Sequence, residues 1–265
     1  MPTGSGKSLV FQIAPLVEML MSSRYIDSVV WKQDPIIIII CPLVALMKDQ
    51  VNRLNNIGFK AAYVGCEEAE KGIDNGDFMY VFISSESILS NERWRCMLEK
   101  KPYQERLVGI VVDEAHCIVE WGTSSNNKKK TIFRIWYSRL NELRSLVQKG
   151  VTFLALTATA TKHTKQQIFD MLELKEPVEI IDNPDRPNIC FVVQKMDNGI
   201  NIADHFKFLV DELKQHGRET TRTIIYCKTI KQCALLFNIF RNSLGTDLFC
   251  NESNDPRTRL CDMMH

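Results

Sequence analysis

The sequence predicts an α/β fold built on a mostly parallel β-sheet. Short apolar runs alternate with stretches of helical spacing along the chain, which is the pattern of successive strand and helix units. The run at 108–112 is too apolar to face water on either side, and the five isoleucines at 36–40 have β-branched side chains that favour a central strand. We therefore expect a sheet that is flanked by helices.

The predicted elements follow one another in order. A loop and a helix occupy residues 1 to about 21, and the isoleucine strand ends at Pro42. Apolar spacing predicts a helix from Leu43 to Leu54. The first part of the chain adds strands at 61–64, 80–83, 108–112 and 153–156, and the second part adds strands at 189–193 and 223–227 and helices at 203–214 and 230–241.

Length and composition limit the classes of protein that fit. With 265 residues the chain has room for one large domain or two small ones. A net charge of +1 gives no overall attraction to nucleic acid, so any surface of that kind must be local. The nine cysteines include no CxxC pair, which argues against zinc and fits a reducing compartment.

The first eight residues, MPTGSGKS, have the pattern of a phosphate-binding loop. Gly4 and Gly6 allow a tight turn whose amides point at phosphates at the start of the next helix. Lys7 supplies a charge to the β and γ phosphates, and the Ser8 hydroxyl is a ligand for Mg²⁺. Met1 stands where the strict pattern has glycine. The alternative is a glycine-rich turn at a mobile terminus.

An acidic pair follows the strand predicted at 108–112. Because carboxylates at the C-terminal edge of a parallel sheet face the ligand crevice, Asp113 is a candidate ligand for Mg²⁺. Glu114 is a candidate general base that orients and polarises the attacking water. The alternative is an exposed acidic turn after a strand. The phosphate loop about a hundred residues earlier favours a nucleotide-driven motor.

Further strings occur in a fixed order along the chain. With the phosphate loop they make the sequence resemble the RecQ family of DNA helicases, in the DExH group of superfamily 2, over nearly its whole length. Residues 41–50 resemble that family's motif Ia, and residues 113–118, with the Trp-Gly pair at 121–122, resemble its motif II. Residues 156–161 resemble its motif III, residues 185–188 the joint between its two motor domains, and residues 224–227 its motif IV.

The resemblance implies two motor domains of the RecA-like fold. The first is expected at 1–183, without its first strand and its adenine-reading motif. A linker is expected at 184–188, where two prolines favour a stiff, extended connection. The beginning of a second RecA-like domain is expected at 189–265, without motifs V and VI. By this interpretation the chain is truncated at both ends, and the arginine finger of motif VI is missing.

The resemblance also implies ATP and Mg²⁺ as cofactors. Lys7, Asp113 and Glu114 are the expected catalytic residues. Thr157 and Thr159 of motif III are expected to bond to the acidic strand end and to couple hydrolysis to DNA; the alternative is ordinary capping of a strand end. The residues expected to bind nucleotide are Thr3, Gly4, Ser5, Gly6, Lys7, Ser8, Asp113 and His116, with Ser8 and Asp113 on the metal.

Nucleic-acid contacts are expected in two places. In motif Ia, Lys48 and Gln50 are the candidates, and Leu43, Leu46 and Met47 are expected to be helix core. After motif II the family has an aromatic-rich loop that senses single-stranded DNA. Here the loop begins at Trp121 but loses the family's His-Asp pair and gains a basic insertion. Its candidates are Trp121, Lys128, Lys129, Lys130, Phe133, Arg134 and Trp136; the alternative is a solvated loop with Trp136 packed underneath.

The resemblance implies a function and its partners. The chain is expected to be an ATP-dependent 3′–5′ DNA helicase, or part of one, that moves on single-stranded and partly duplex DNA during repair and recombination in the nucleus. Further expected partners are repair-complex proteins or a second chain that supplies the missing motifs. Two alternatives remain open. One is a nucleic-acid-binding module without motor activity, and the other is an ATPase that acts on protein or transport substrates.

Overall fold

The computed structural model describes residues 6–24, 31–122, 136–183, 189–190, 192–193, 201–249 and 258–263. Contacts between Cα atoms divide the chain into two compact units, Met1–Arg186 and Pro187–His265. The division falls inside the linker expected at 184–188. The assignment of the two units to two helicase domains stays a prediction.

A single parallel sheet forms the centre of the first unit. Its strands are β1 (Ile36–Ile40), β2 (Ala61–Tyr63), β3 (Tyr80–Ile83), β4 (Leu107–Val112) and β5 (Thr152–Ala155). They pair in the order β2-β3-β1-β4-β5, and all four pairings are parallel. The isoleucine strand is therefore central, as expected, and the predicted α/β fold with a parallel sheet is confirmed.

Helices fill the connections between these strands. The described helices of this unit are α1 (Lys7–Arg24), α2 (Val44–Asn56), α3 (Glu67–Asn75), α4 (Ser85–Ser90), α5 (Glu92–Met97), α6 (Lys101–Arg106), α7 (His116–Gly122), α8 (Leu143–Leu146) and α9 (Lys162–Met171). The helices predicted after the phosphate loop and after Pro42 correspond to α1 and α2. Among the described residues, no helix has both the length and the apolar character needed to cross a membrane.

The sheet is buried on both faces. Alternate side chains of β1 point to opposite sides, and all five of them are buried. Ile38 lies in a core formed with side chains of α3 to α9. Ile37 lies in a second core with Phe11 of α1 and the buried stripe of α2, which consists of Met47, Val51 and Leu54. The two helices that carry the phosphate-loop end and motif Ia therefore share one face of the sheet.

The second unit is mainly helical in its described part. It contains α10 (Ile202–His205), α11 (Lys207–His216) and α12 (Ile230–Leu244), so the helices predicted at 203–214 and 230–241 are present, the first of them as two pieces. The buried residues form one small core of five side chains, Leu209, Val210, Phe240, Leu244 and Leu248.

The strands predicted in the second unit are wrong in its described part. Residues 223–227 form no strand, and Ile224 and Tyr226 are 75% and 91% exposed. Of the strand predicted at 189–193, the described residues are not in a sheet, and Val193 is exposed. A strand needs a neighbour to complete its hydrogen bonds. The described residues of this unit offer only an isolated bridge between Phe249 and Arg259.

We expect Gly76→Ala to destabilise the first unit strongly. Gly76 ends α3 with a φ of +75°, and an added Cβ would lie 2.8 Å from Cβ of Pro102 and 3.2 Å from Cδ1 of Ile36. Backbone strain and overpacking together should lower the free energy of unfolding, measured by urea denaturation, by about 3 kcal/mol.

Gly58→Ala is the matched control for this variant. Gly58 has a φ of +91°, but an added Cβ would meet nothing within 4 Å. Only the left-handed conformation then opposes alanine, so the expected loss is about 1 kcal/mol. Equal losses in the two variants would show that the contacts with Pro102 and Ile36 do not matter.

Candidate functional site

The end of the predicted phosphate loop lies at the start of α1. Gly6 has a φ of +83°, its carbonyl accepts a hydrogen bond of 2.9 Å from the Leu9 amide, and Lys7 begins the helix. The Lys7 and Ser8 side chains are half-buried. The other residues expected in the loop, Thr3, Gly4 and Ser5, lie outside the described residues.

Contacts with the sheet fix the position of α1. Phe11 is fully buried, and its ring meets the Phe82 ring edge-on at a centroid distance of 6.2 Å. The Tyr80 hydroxyl donates a hydrogen bond to the Gln12 carbonyl. Both aromatic partners belong to β3, so this strand anchors the helix that follows the loop.

The acidic end of β4 is hydrogen-bonded to the ends of the two strands that flank β4 in the sheet. The Asp113 amide donates to the carbonyl of Ile40, the last residue of β1, at 2.9 Å. The Ala115 amide donates to the carbonyl of Leu156, just after β5, at 2.8 Å. Between them, Glu114 has a φ of +48°, and its amide donates to Asp113 Oδ1 at 3.0 Å. Such a left-handed backbone costs a bulky residue about 1–2 kcal/mol, and it persists here because both neighbours are held.

Burial and the neighbouring groups shift the pKa of the Asp113 carboxyl in both directions. Burial is the largest influence and raises its pKa, and the Glu114 carboxylate acts in the same direction. The Glu114 amide and the Lys7 and His116 side chains lower this pKa. Lys7, at the start of α1, is therefore close enough to Asp113 for its positive charge to lower the pKa of that carboxyl.

His116 connects the acidic end to motif III. Its Nδ1 lies 3.0 Å from Thr157 Oγ1 and 3.2 Å from Glu114 Oε2. The Thr157 hydroxyl donates to the Thr159 carbonyl at 3.1 Å and accepts from the Thr159 amide at 3.1 Å. Thr157 thus caps the turn after β5 and also contacts motif II, so it has both of the contacts considered for it. Thr159 takes part through its backbone.

Motif Ia is arranged differently from the prediction. Lys48 is exposed, with its Nζ 5.9 Å from the centre of the Tyr63 ring. Gln50 is half-buried and lies against α1, where its Nε2 is 3.4 Å from Ser8 Oγ. Met47 is core, but Leu43 and Leu46 are 53% and 41% exposed, so their assignment to the core was wrong. Leu43 precedes the helix, and Leu46 lies off the stripe that starts at Met47.

The aromatic-rich segment is described only at its two ends. Trp136 packs half-buried against the core, its indole N–H is buried, and the Arg139 guanidinium lies 5.1 Å from its ring centre. This packing matches the alternative considered for Trp136. The backbone of Trp121 belongs to α7. The side chain of Trp121 and all of Lys128, Lys129, Lys130, Phe133 and Arg134 lie outside the described residues.

Tyr137, which aligns with the tyrosine of the family's aromatic-rich loop, is a further residue near the site. It is fully buried, and burial raises the pKa of its hydroxyl, so the group stays protonated. The other groups that act on this hydroxyl are the buried thiols of Cys117 and Cys41, the Ser85 hydroxyl and the Asp113 carboxylate. Tyr137 therefore lies in the core directly beside motif II. Its signal in the sequence was this alignment, which did not indicate that the side chain is buried.

Comparison with known proteins identifies the family. The DEAD/DEAH box helicase model matches residues 1–168, and the chain belongs to that family. Its relatives include the ATP-dependent helicase SGS1 of Saccharomyces cerevisiae, 31% identical over 88% of this chain and 15% of that protein. They also include the probable ATP-dependent DNA helicase RecS of Bacillus subtilis, 31% identical over 87% of this chain and 41% of that protein.

A third relative agrees with this assignment, and a solved structure has a similar fold. The ATP-dependent DNA helicase RecQ of Haemophilus influenzae is 28% identical over 91% of this chain and 34% of that protein. The resemblance to RecQ-family helicases is thereby confirmed, and the chain spans less than half of each of these relatives. The fold is similar to that of the helicase MrfA, solved with DNA and AMPPNP, with a TM-score of 0.60 and 16% identity over 94% of this chain and 34% of that chain.

We expect Asp113→Asn to stabilise the chain at neutral pH. The pKa of Asp113 is raised by burial, so its ionised form disfavours the folded state there. As the pH falls through this raised pKa, the folded wild type takes up the proton and the advantage of the variant disappears. Urea denaturation at neutral and at acidic pH measures the difference.

Asp49→Asn is the control for this comparison, because Asp49 is exposed on α2. Its free energy of unfolding should stay within about 0.5 kcal/mol of wild type at either pH. An Asp113→Asn variant that is less stable than wild type at neutral pH would mean that the contacts of the carboxylate outweigh its burial.

Proposed function

We propose that the chain is the nucleotide-hydrolysing part of a RecQ-like, ATP-dependent 3′–5′ DNA helicase. The interaction of Lys7 with Asp113 carries this proposal, because it joins the phosphate-loop end to motif II at one edge of the sheet. Residues 1–183 are then the first motor domain, 184–188 the linker and 189–265 part of the second. The family assignment supports the class of enzyme, and the direction of movement follows from the family alone.

ATP with Mg²⁺ fits the groups at this edge. Lys7 provides a positive charge for the phosphates, and Ser8 and Asp113 provide hydroxyl and carboxylate oxygens, the donors that Mg²⁺ prefers. Thr3, Gly4, Ser5 and Gly6 complete the proposed cradle, and His116 lies near Asp113. When bound, the metal would neutralise charge on the phosphates.

Glu114 is the proposed general base. Its backbone is fixed on both sides by the amides of Asp113 and Ala115, and its carboxylate lies 3.2 Å from His116 Nδ1. A carboxylate held in this way can orient a water molecule and accept its proton during attack on the γ-phosphate. The same histidine contacts Thr157, so a movement of the turn after β5 would change the surroundings of Glu114.

DNA is the proposed partner, and its contacts are local. Lys48 is exposed on α2 and is available to a backbone phosphate. The basic insertion with Lys128, Lys129 and Lys130, followed by Phe133 and Arg134, is proposed to contact single-stranded DNA together with Trp121. Trp136 is no longer favoured, since its ring is packed against the core. Repair proteins as further partners and a nuclear location rest on the family alone, and bacterial relatives are not nuclear.

ATP hydrolysis with and without a single-stranded oligonucleotide tests the proposal. We expect DNA-stimulated turnover in the 265-residue chain. Lys7→Ala and Glu114→Gln should each lower it about 100-fold or more, because they remove a phosphate contact and the base.

Lys149→Ala is the matched control, since Lys149 is exposed after α8. Turnover that persists in the Lys7→Ala variant would contradict the proposed site. Folded protein that binds the oligonucleotide without any turnover would instead support the second interpretation, a binding module without motor activity.

A further inference from the structure

A chain of hydrogen bonds joins β3 to the end of the phosphate loop. The Tyr80 hydroxyl donates to the Gln12 carbonyl, Gln12 Nε2 donates to Gln50 Oε1 at 3.2 Å, and Gln50 Nε2 donates to Ser8 Oγ at 3.4 Å. Gln50 is the member that comes from motif Ia. The sequence assigned this residue to DNA binding, yet both of its described partners belong to α1.

The orientation of the Gln50 amide follows from this chain. Its oxygen accepts the bond from Gln12, which leaves its nitrogen as the group that faces Ser8. Gln12 is held in turn, because its backbone carbonyl accepts the bond from Tyr80. Tyr80 is fully buried, and burial raises the pKa of its hydroxyl to about 12, so the hydroxyl remains a donor at neutral pH.

Exposure separates Gln50 from its neighbours on α2. Lys48, Asp49 and Asn52 are exposed, whereas Gln50 is half-buried in the angle between α2 and α1. An amide in this position has little surface to offer a DNA backbone. It can, however, transmit a small movement of α2 to the Ser8 hydroxyl, because both helices pack on the same face of the sheet.

We propose that Gln50 is a positioning residue that orients the Ser8 hydroxyl for Mg²⁺. This inference rests on the proposed function, in which Ser8 is a metal ligand. A serine hydroxyl has two lone pairs and one proton. The bond from Gln50 Nε2 occupies one lone pair and restricts rotation about the Cβ–Oγ bond, which leaves the second lone pair for the metal. Outer partners of this kind set the affinity of a metal ligand.

The test measures binding of a fluorescent, non-hydrolysable ATP analogue at increasing Mg²⁺ concentrations. Gln50→Ala should raise the Mg²⁺ concentration at half-maximal binding about tenfold, the lower end of the usual range for such partners. Gln50→Glu should do the same, because a carboxylate can accept from Gln12 but cannot donate to Ser8. Affinity for a single-stranded oligonucleotide without nucleotide should not change. Asn52→Ala, an exposed amide on the same helix, is the control for both measurements.

A double-mutant cycle shows whether Gln50 acts through Ser8. If it does, adding Gln50→Ala to Ser8→Ala should cause no further loss of Mg²⁺-dependent binding. Unchanged Mg²⁺ dependence in folded Gln50→Ala or Gln50→Glu protein would overturn the inference and leave the proposed function intact. Weaker oligonucleotide binding with normal Mg²⁺ dependence would do the same and restore Gln50 as a DNA contact. Wild-type protein that binds no analogue at any Mg²⁺ concentration would overturn both.

Discussion

The Asp113 carboxylate is half-buried at the end of β4, a buried strand, and neighbouring groups offset part of the cost of burying it. The Glu114 amide and the Lys7 and His116 side chains oppose the effect of burial on its pKa. Each of these groups comes from an element that the sheet fixes: β4 leads into the turn, and β3 holds α1. The position of this carboxyl group therefore depends on neighbours that partly offset the cost of its burial.

Two layers of helices meet at this carboxylate. The helices α1 and α2 pack on one face of the sheet and supply Lys7, Ser8 and Gln50. The helix α7, with Tyr137 beneath it, packs on the other face. The strand ends are the connection between them, since Asp113 bonds to the end of β1 and Ala115 bonds just beyond β5. A shift of the helices on either face of the sheet can therefore alter the surroundings of the Asp113 carboxyl.

Motifs and apolar runs predicted most of the first unit but not its side-chain contacts. The five strands were visible because each is a short apolar run, and Asp113 and Lys7 were visible because their neighbours form specific strings. Gln50 was expected to contact DNA, and its contacts with Gln12 and Ser8 were not visible, because the sequence does not show which other helix lies beside it. The run at 223–227 looked like a strand from its own residues, but a strand also needs a neighbour, which no local pattern can supply.

The two thiols beside Tyr137 give the first unit a built-in chemical probe. Cys41 and Cys117 are buried at the site, whereas Cys96 and Cys190 are exposed. Burial raises the pKa of the Cys41 thiol to about 11, so almost none of it is thiolate at neutral pH. A thiol-directed label should therefore modify the exposed cysteines first. The later reaction of Cys41 would report how often the region around the acidic turn opens, without any foreign reporter being introduced.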